Sequence, residues 1–201
     1  MGANTHQQLA FSAGYKVAAS AAGVCYQIMP ALAGYRASIQ HMAYTCTSVS
    51  SYVNVLQVSG SAKIGTTNVA SGASTVTMAS STLFASLAFS SGCFIAVELQ
   101  NGTTQLCECT NSYASNISVT IQGTDILTAS ALAGANVWGY PKIDAAGNMK
   151  KRITAITQET LTAYGGAGYF FASGKGYPLP VVVQGTAAAS IDYVVGGYIN
   201  S

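Results

Sequence analysis

Charge is what this sequence has least of. Eight Lys and Arg and six Asp and Glu make up 7% of its 201 residues, against roughly 25% in ordinary globular proteins. The formal net charge of +2 is too small to point to nucleic acid or to an acidic lipid surface, so neither partner is expected. A surface this poor in charge is weakly protected against association. Long hydrophobic runs are also missing. None approaches the ~20 residues of a membrane-crossing helix, and the strand-like segments lack the even length and aromatic girdles of an outer-membrane barrel. Disorder is excluded from the other side, because 50% of the residues are hydrophobic and Tyr, Val and Ile recur throughout. What remains is a β protein that hides much of its surface against copies of itself or a partner.

Catalytic signatures are equally scarce. Of the two histidines, His6 lies near the N-terminus and His41 alternates with apolar residues as a packed strand residue would. No nucleophile–base–acid set can be assembled around them, and no Gly-x-Ser-x-Gly elbow occurs. The glycine-rich stretch at 165–176 fails as a phosphate loop, since Tyr169 stands where its first Gly belongs and Gly176 follows Lys175. Glu98 and Glu108 fall on adjoining strands, but the expected register puts them at different levels and on opposite faces, unlike a glycosidase pair. The reading is of a protein that is not an enzyme and takes no cofactor. Five cysteines form no zinc-binding set. Cys107 and Cys109 share a strand face with Cα atoms ~7 Å apart, the outer limit for a bond to each other. Buried reduced thiols are the default; an intersubunit disulfide from Cys25, Cys107 or Cys109 is the alternative.

What the sequence does contain is period-two alternation. The clearest case runs from Gly92 through an Asn101-Gly102 turn to Thr110. Asn-Gly between β-forming runs predicts a two-residue type I′ hairpin, with Val97 facing Leu106 and Leu99 facing Thr104. One face then carries Cys93, Ile95, Val97 and Leu99, the other Phe94, Ala96, Glu98 and Gln100. Alternation at 117–121 and a closing segment at 134–138 complete a meander. Further strands are expected at 35–44, 51–58, 74–78, 82–87, 152–158, 168–171, 181–184 and 190–195, with late strands set against early ones. This predicts an all-β fold, a β-sandwich or jelly-roll-like domain over 35–201, with 92–138 as a projecting β-meander lobe. Residues 1–34 read as an extended N-terminal arm with Leu9, Phe11 and Tyr15 as apolar anchors. The arm lacks the basic start and Leu-rich core of a secretion signal. Lys150, Lys151 and Arg152, with Lys142 nearby, suit a solvated loop or a contact with an acidic surface. Twelve tyrosines suit interfaces, where a large ring with a polar tip is favoured.

The stretch 91–105, the Ala-Gly-Ala-Asn-Val-Trp sequence at 133–138 and the closing segments 178–183 and 191–199 together resemble the β-module of tailed-bacteriophage virion proteins. Among these the chain is most similar to the head decoration (cement) proteins. That resemblance implies a virion structural protein, made in the bacterial host cytoplasm, that sits on the capsid surface as a homo-oligomer such as a trimer. It would brace neighbouring copies of the major capsid protein, with Leu9, Phe11, Tyr15, Lys150, Lys151 and Arg152 as candidate contacts. No catalytic residues come with it. The alternatives are a receptor- or glycan-binding head-fibre or tail module, or a capsid coat protein itself.

Overall fold

Main-chain pairing joins the two ends of the chain. In the computed structural model, β1 (Phe11–Ala19) runs antiparallel to β15 (Ala189–Asn200), from Phe11↔Gly197 to Ala19↔Ala189. Next inward, β2 (Val24–Met29) pairs with β14 (Leu179–Gln184). β3 (Arg36–Cys46) then pairs with β12 (Glu159–Thr162) and β13 (Phe171–Ala172). Finally β4 (Tyr52–Val55) pairs with β11 (Met149–Arg152), ending at Val55↔Met149. These four pairings form one long antiparallel ribbon, open at the ends of the chain and closed at its middle. The structure describes residues 11–19, 24–29, 33–46, 52–56, 58, 60–81, 83, 91–110, 117–142, 149–152, 159–162, 171–172, 176–184 and 189–200.

The ribbon is then wrapped on itself. β15 also pairs with β3, with a register shift at Gly196/Gly197, and β14 also pairs with β4. The result is two sheets of order β1-β15-β3-β12, with β13 continuing the β12 position, and β2-β14-β4-β11. Each strand of one sheet is a chain neighbour of the strand at the same position in the other. Local sequence permits this. β14 and β15 are rich in β-branched and aromatic residues (Val181, Val182, Val183, Ile191, Tyr193), which suit a pleated surface. Pro180 falls one residue past the last β14–β4 pair, at Val181↔Val55, and stands opposite Ile28 of β2. The segment 1–34, read as an arm, therefore contains two paired strands. Its small residues mask an alternation of Phe11, Ala13, Tyr15 and Val17.

The chain divides into two compact units, one of Met1–Val55 with Met149–Ser201 and one of Leu56–Asn148. The second is inserted at the ribbon tip and is larger than the expected 92–138 lobe. Its strands are β5 (Gly60–Lys63), β6 (Thr75–Thr77), β7 (Phe94–Glu98), β8 (Thr104–Glu108), β9 (Ser118–Thr120) and β10 (Asn136–Tyr140), with a 3-10 turn η1 (Gly123–Asp125). Sheet β5-β10-β7-β8 and pair β6-β9 are joined at both sides by the bridges Cys109↔Ile121 and Ile64↔Met78. Flanking bonds reinforce each bridge: Gln122 N–H to the Glu108 carbonyl at 2.8 Å, and Ala79 N–H to the Lys63 carbonyl at 2.8 Å. The strands thus close a ring, β5-β10-β7-β8-β9-β6, antiparallel throughout. Alternate side chains fill it, among them Ile64, Val76, Met78, Ile95, Val97, Val119, Ile121 and Val137. Each contributes ~1.5–3 kcal/mol on full burial, set against the entropy of ordering the chain. β7 is buried on its other face as well, through Phe94 and Ala96.

The central hairpin forms, but not in the expected register. The pairs are Val97↔Gln105 and Glu98↔Thr104, one residue off the two-residue reading. Gly102 N–H donates to the Leu99 carbonyl at 3.0 Å and Leu99 N–H to the Thr103 carbonyl at 2.8 Å. This is a three-residue loop, a tight turn followed by a glycine-led bulge, with Gly102 at φ +80°. Asn101 Oδ1 accepts from the Thr103 N–H at 3.1 Å and fixes the turn from within. Glu98 and Glu108 consequently share a face, four residues apart along the hairpin, or ~13 Å. The same device recurs where Gly134 (φ +81°) and Ala135 both bond Ile64, at 3.2 and 2.9 Å. Gly102→Ala has open space for its Cβ but must hold a left-handed backbone, so it should lose about 1–2 kcal/mol in urea denaturation. Gly123→Ala, equally unobstructed and without positive φ, should stay within ~0.5 kcal/mol of the parent.

Candidate functional site

Two places in the unit Leu56–Asn148 concentrate polar groups, one inside and one outside. The inner one is built on Asp125, which η1 delivers to the side of β8. Its Oδ2 accepts the Glu108 N–H at 2.7 Å and its Oδ1 the Thr124 hydroxyl at 3.3 Å. Its carbonyl accepts from Gln105 Nε2 at 2.9 Å and from the Cys107 thiol at 3.4 Å. Gln105 Nε2 also donates to the Ile126 carbonyl at 3.0 Å, and Gln105 Oε1 accepts from the Thr128 N–H at 2.9 Å and hydroxyl at 3.0 Å. Buried polar groups need such partners, and here they staple segment 123–128 to β8. A second polar row crosses the ring wall: Lys63 Nζ donates to Asn136 Oδ1, and Asn136 donates through its N–H (3.0 Å) and Nδ2 (2.6 Å) to Glu98 Oε2.

Thiol chemistry is suppressed. Cys93, Cys107 and Cys109 are free and buried. Burial, then the Asp125 charge, pushes the Cys107 thiol up to about 12, with the Gln105 hydrogen bond opposing. Burial raises Cys109 further, followed by Cys107, Cys93, Glu108 and Asp125. Both shifts disfavour the thiolate, the nucleophilic form. Cys109 N–H donates to the Cys93 carbonyl at 2.8 Å while its own carbonyl accepts the Gly92 N–H at 2.8 Å, so Gly92 and Cys93 together oppose Cys109 as a bulge led by a positive-φ glycine. With no exposed area at Cys107 or Cys109, neither thiol is presented to a second subunit. Among the described residues no group of three metal-ligating side chains converges.

The remaining sequence candidates are dispersed. Phe11 and Tyr15 lie on β1 opposite Gly197 and Tyr193, and Cys25 lies on β2 opposite Val183. Lys150, Lys151 and Arg152 form a strand rather than a loop, β11 at the edge of its sheet. His41 sits on β3 opposite Thr162 and Gly196. Leu9 and His6 lie outside the described residues. Among the described residues these positions fall on four different strands, β1, β2, β3 and β11.

The outer place is a cleft of about 530 Å³ beside β6, between segment 65–70 and residues 73–79, with Ile117 at its rim. Thr66, Thr67, Asn68, Thr75 and Thr77 supply its polar side chains, and Val69 and Met78 its buried apolar floor. No lining side chain is ionisable, so the cleft suits binding rather than acid–base work. Nothing in the sequence reading singled it out, because Thr and Ala in short runs carry no motif.

No protein-family model matches the sequence, and no curated protein is similar to it at a significant level. Among solved structures, the chain is similar to the infectious bursal disease virus Gt strain structure, at 7% identity and a TM-score of 0.19, covering 96% of this chain and 42% of that one. It is similar to a VP2 subviral particle of infectious bursal disease virus at 10% identity and a TM-score of 0.15, covering 94% and 42%. The chain thus spans 42% of the length of these structures, and TM-scores this low carry no weight for fold or role.

Glu108, beside Asp125, gives the inner cluster a measurable signature. Burial, then the Asp125 charge, raises its carboxyl above 4.5. A carboxyl raised on folding favours the folded state only while protonated, so stability falls as pH climbs from 4.5 through the raised value. Glu108→Gln should therefore melt higher than the parent at pH 7. The two should coincide below pH 4.5, in thermal scans monitored by circular dichroism.

Proposed function

We propose that this chain is a structural protein of a virus particle, binding the outside of an assembled capsid and bracing neighbouring coat subunits as a decoration protein. The observation that carries the reading is the wrapped ribbon. Eight strand positions in two sheets, β1-β15-β3-β12 and β2-β14-β4-β11, follow the jelly-roll connectivity that recurs in viral capsid domains. A fold alone does not fix a function, but composition points the same way. Asp, Glu, Lys and Arg are only 7% of the chain, a composition suited to burial against neighbours. Repeated weak contacts gain avidity from a lattice. In this reading the chain acts without catalysis, its partner is the major capsid protein, and it works as an oligomer, a trimer in the decoration arrangement. The same strand order also favours a second reading, a coat protein that builds the shell itself.

Stoichiometry and deletion separate the two. Particles made without a decoration protein keep a closed shell and lose surface density in electron micrographs; without a coat protein no shell forms. The isolated protein should sediment as an oligomer at micromolar concentration, and a monomer in analytical ultracentrifugation would count against the proposal.

A further inference from the structure

We propose that the cleft-facing edge of β6 at Thr75 and Thr77, beyond the bridge that joins β6 to β5, is a docking site for an extended, uncharged peptide segment, which pairs there as a short strand. The site rests on which way the β6 main chain faces. Ile121 N–H donates to the Ser74 carbonyl at 2.9 Å and Met78 N–H to the Ile117 carbonyl at 2.7 Å, within the register Thr75↔Thr120, Val76↔Val119, Thr77↔Ser118. Ser74, Val76 and Met78 therefore turn their main-chain groups toward β9. Thr75 and Thr77, alternating with them, turn theirs away. On that far side the Thr77 carbonyl accepts the Gly65 N–H at 3.1 Å. The Thr75 N–H, the Thr75 carbonyl and the Thr77 N–H have no protein partner among the described residues. They line up as donor, acceptor and donor along one strand edge, the pattern an incoming extended chain complements.

The surroundings select the occupant. The edge borders the cleft of about 530 Å³, whose lining includes no charged side chain and no aromatic ring. A charged segment entering it would lose water without gaining a counter-charge; an uncharged one would not. Ile117, 46% exposed at the rim, offers an apolar contact to an alternate side chain of the guest. A sugar has no repeating main chain to match the three aligned groups. The site does not depend on the virion role proposed above.

The test uses the full chain and a library of short, N-acetylated, C-amidated peptides built from Ser, Thr, Val, Ile and Asn. A matched library carries Lys and Glu at alternate positions. The uncharged library should yield binders that slow amide hydrogen exchange at Thr75 and Thr77, and the charged one should not. Thr75→Pro removes one donor that β6 does not use for β9, and should weaken those binders roughly fivefold or more. Ile117→Asp should weaken them as well. Should Thr75→Pro fail to fold, the exchange protection in the parent and the Ile117→Asp affinity decide. The proposal is overturned if no uncharged peptide binds, if binding protects amides elsewhere, if both variants bind as the parent does, or if neutral oligosaccharides occupy the cleft while peptides do not.

Discussion

Antiparallel hydrogen bonding between segments far apart in sequence is the constraint from which this architecture follows. Phe11 pairs with Gly197 and Val55 with Met149, so nearly every ribbon contact closes a long loop. The entropy of such closure grows slowly with length but must be met before any long-range contact forms. The inserted ring changes that cost. Residues 56–148 form a compact unit of their own, so the loop closed by Val55↔Met149 is not a free coil. Each pair outward then extends an existing ladder. Pairing outward from Val55↔Met149 keeps each further closure short.

Closure also answers a problem set by composition. Sheets end in rows of unpaired amides and carbonyls, which proteins commonly protect with charge. This chain has little charge to spend. In one unit the six strands form a ring, joined by Ile64↔Met78 and Cys109↔Ile121. In the other, three of the eight basic residues, Lys150, Lys151 and Arg152, fall on the four-residue edge strand β11. The basic cluster that reads from sequence as a solvated loop or a partner contact therefore lies on an edge strand, a position where charge disfavours indiscriminate pairing.

Period-two patterning is local, which is why the all-β class and the two faces of β7 are legible in the sequence. Register is not local. Asn101-Gly102 fits a two-residue turn and also the last two places of a three-residue loop, and only bonds from Leu99 to Gly102 and Thr103 decide between them. That one-residue difference moved Glu98 and Glu108 from opposite faces to the same face. The strands at 11–19 and 24–29 were hidden for a related reason: Ala, Gly and Ser dilute the alternation, and the partners that reveal it lie beyond residue 178. The cleft beside β6 was invisible because its distinguishing groups are main-chain atoms, which every residue carries and no motif records.

Inside the unit Leu56–Asn148, the described polar groups are committed to holding the fold. Asp125 and Gln105 spend their hydrogen bonds on holding segment 123–128 to β8, and Cys107 and Cys109 are kept protonated by burial. A ring that is closed almost everywhere makes its remaining open edge more selective. Only a segment able to lie along Thr75 and Thr77, beneath residues 65–70, can use it. A single short strand addition is weak by itself, yet in a repeating array many such contacts act together. Within the unit Leu56–Asn148, and among the described residues, strand closure leaves main-chain pairing groups open at one short stretch of β6.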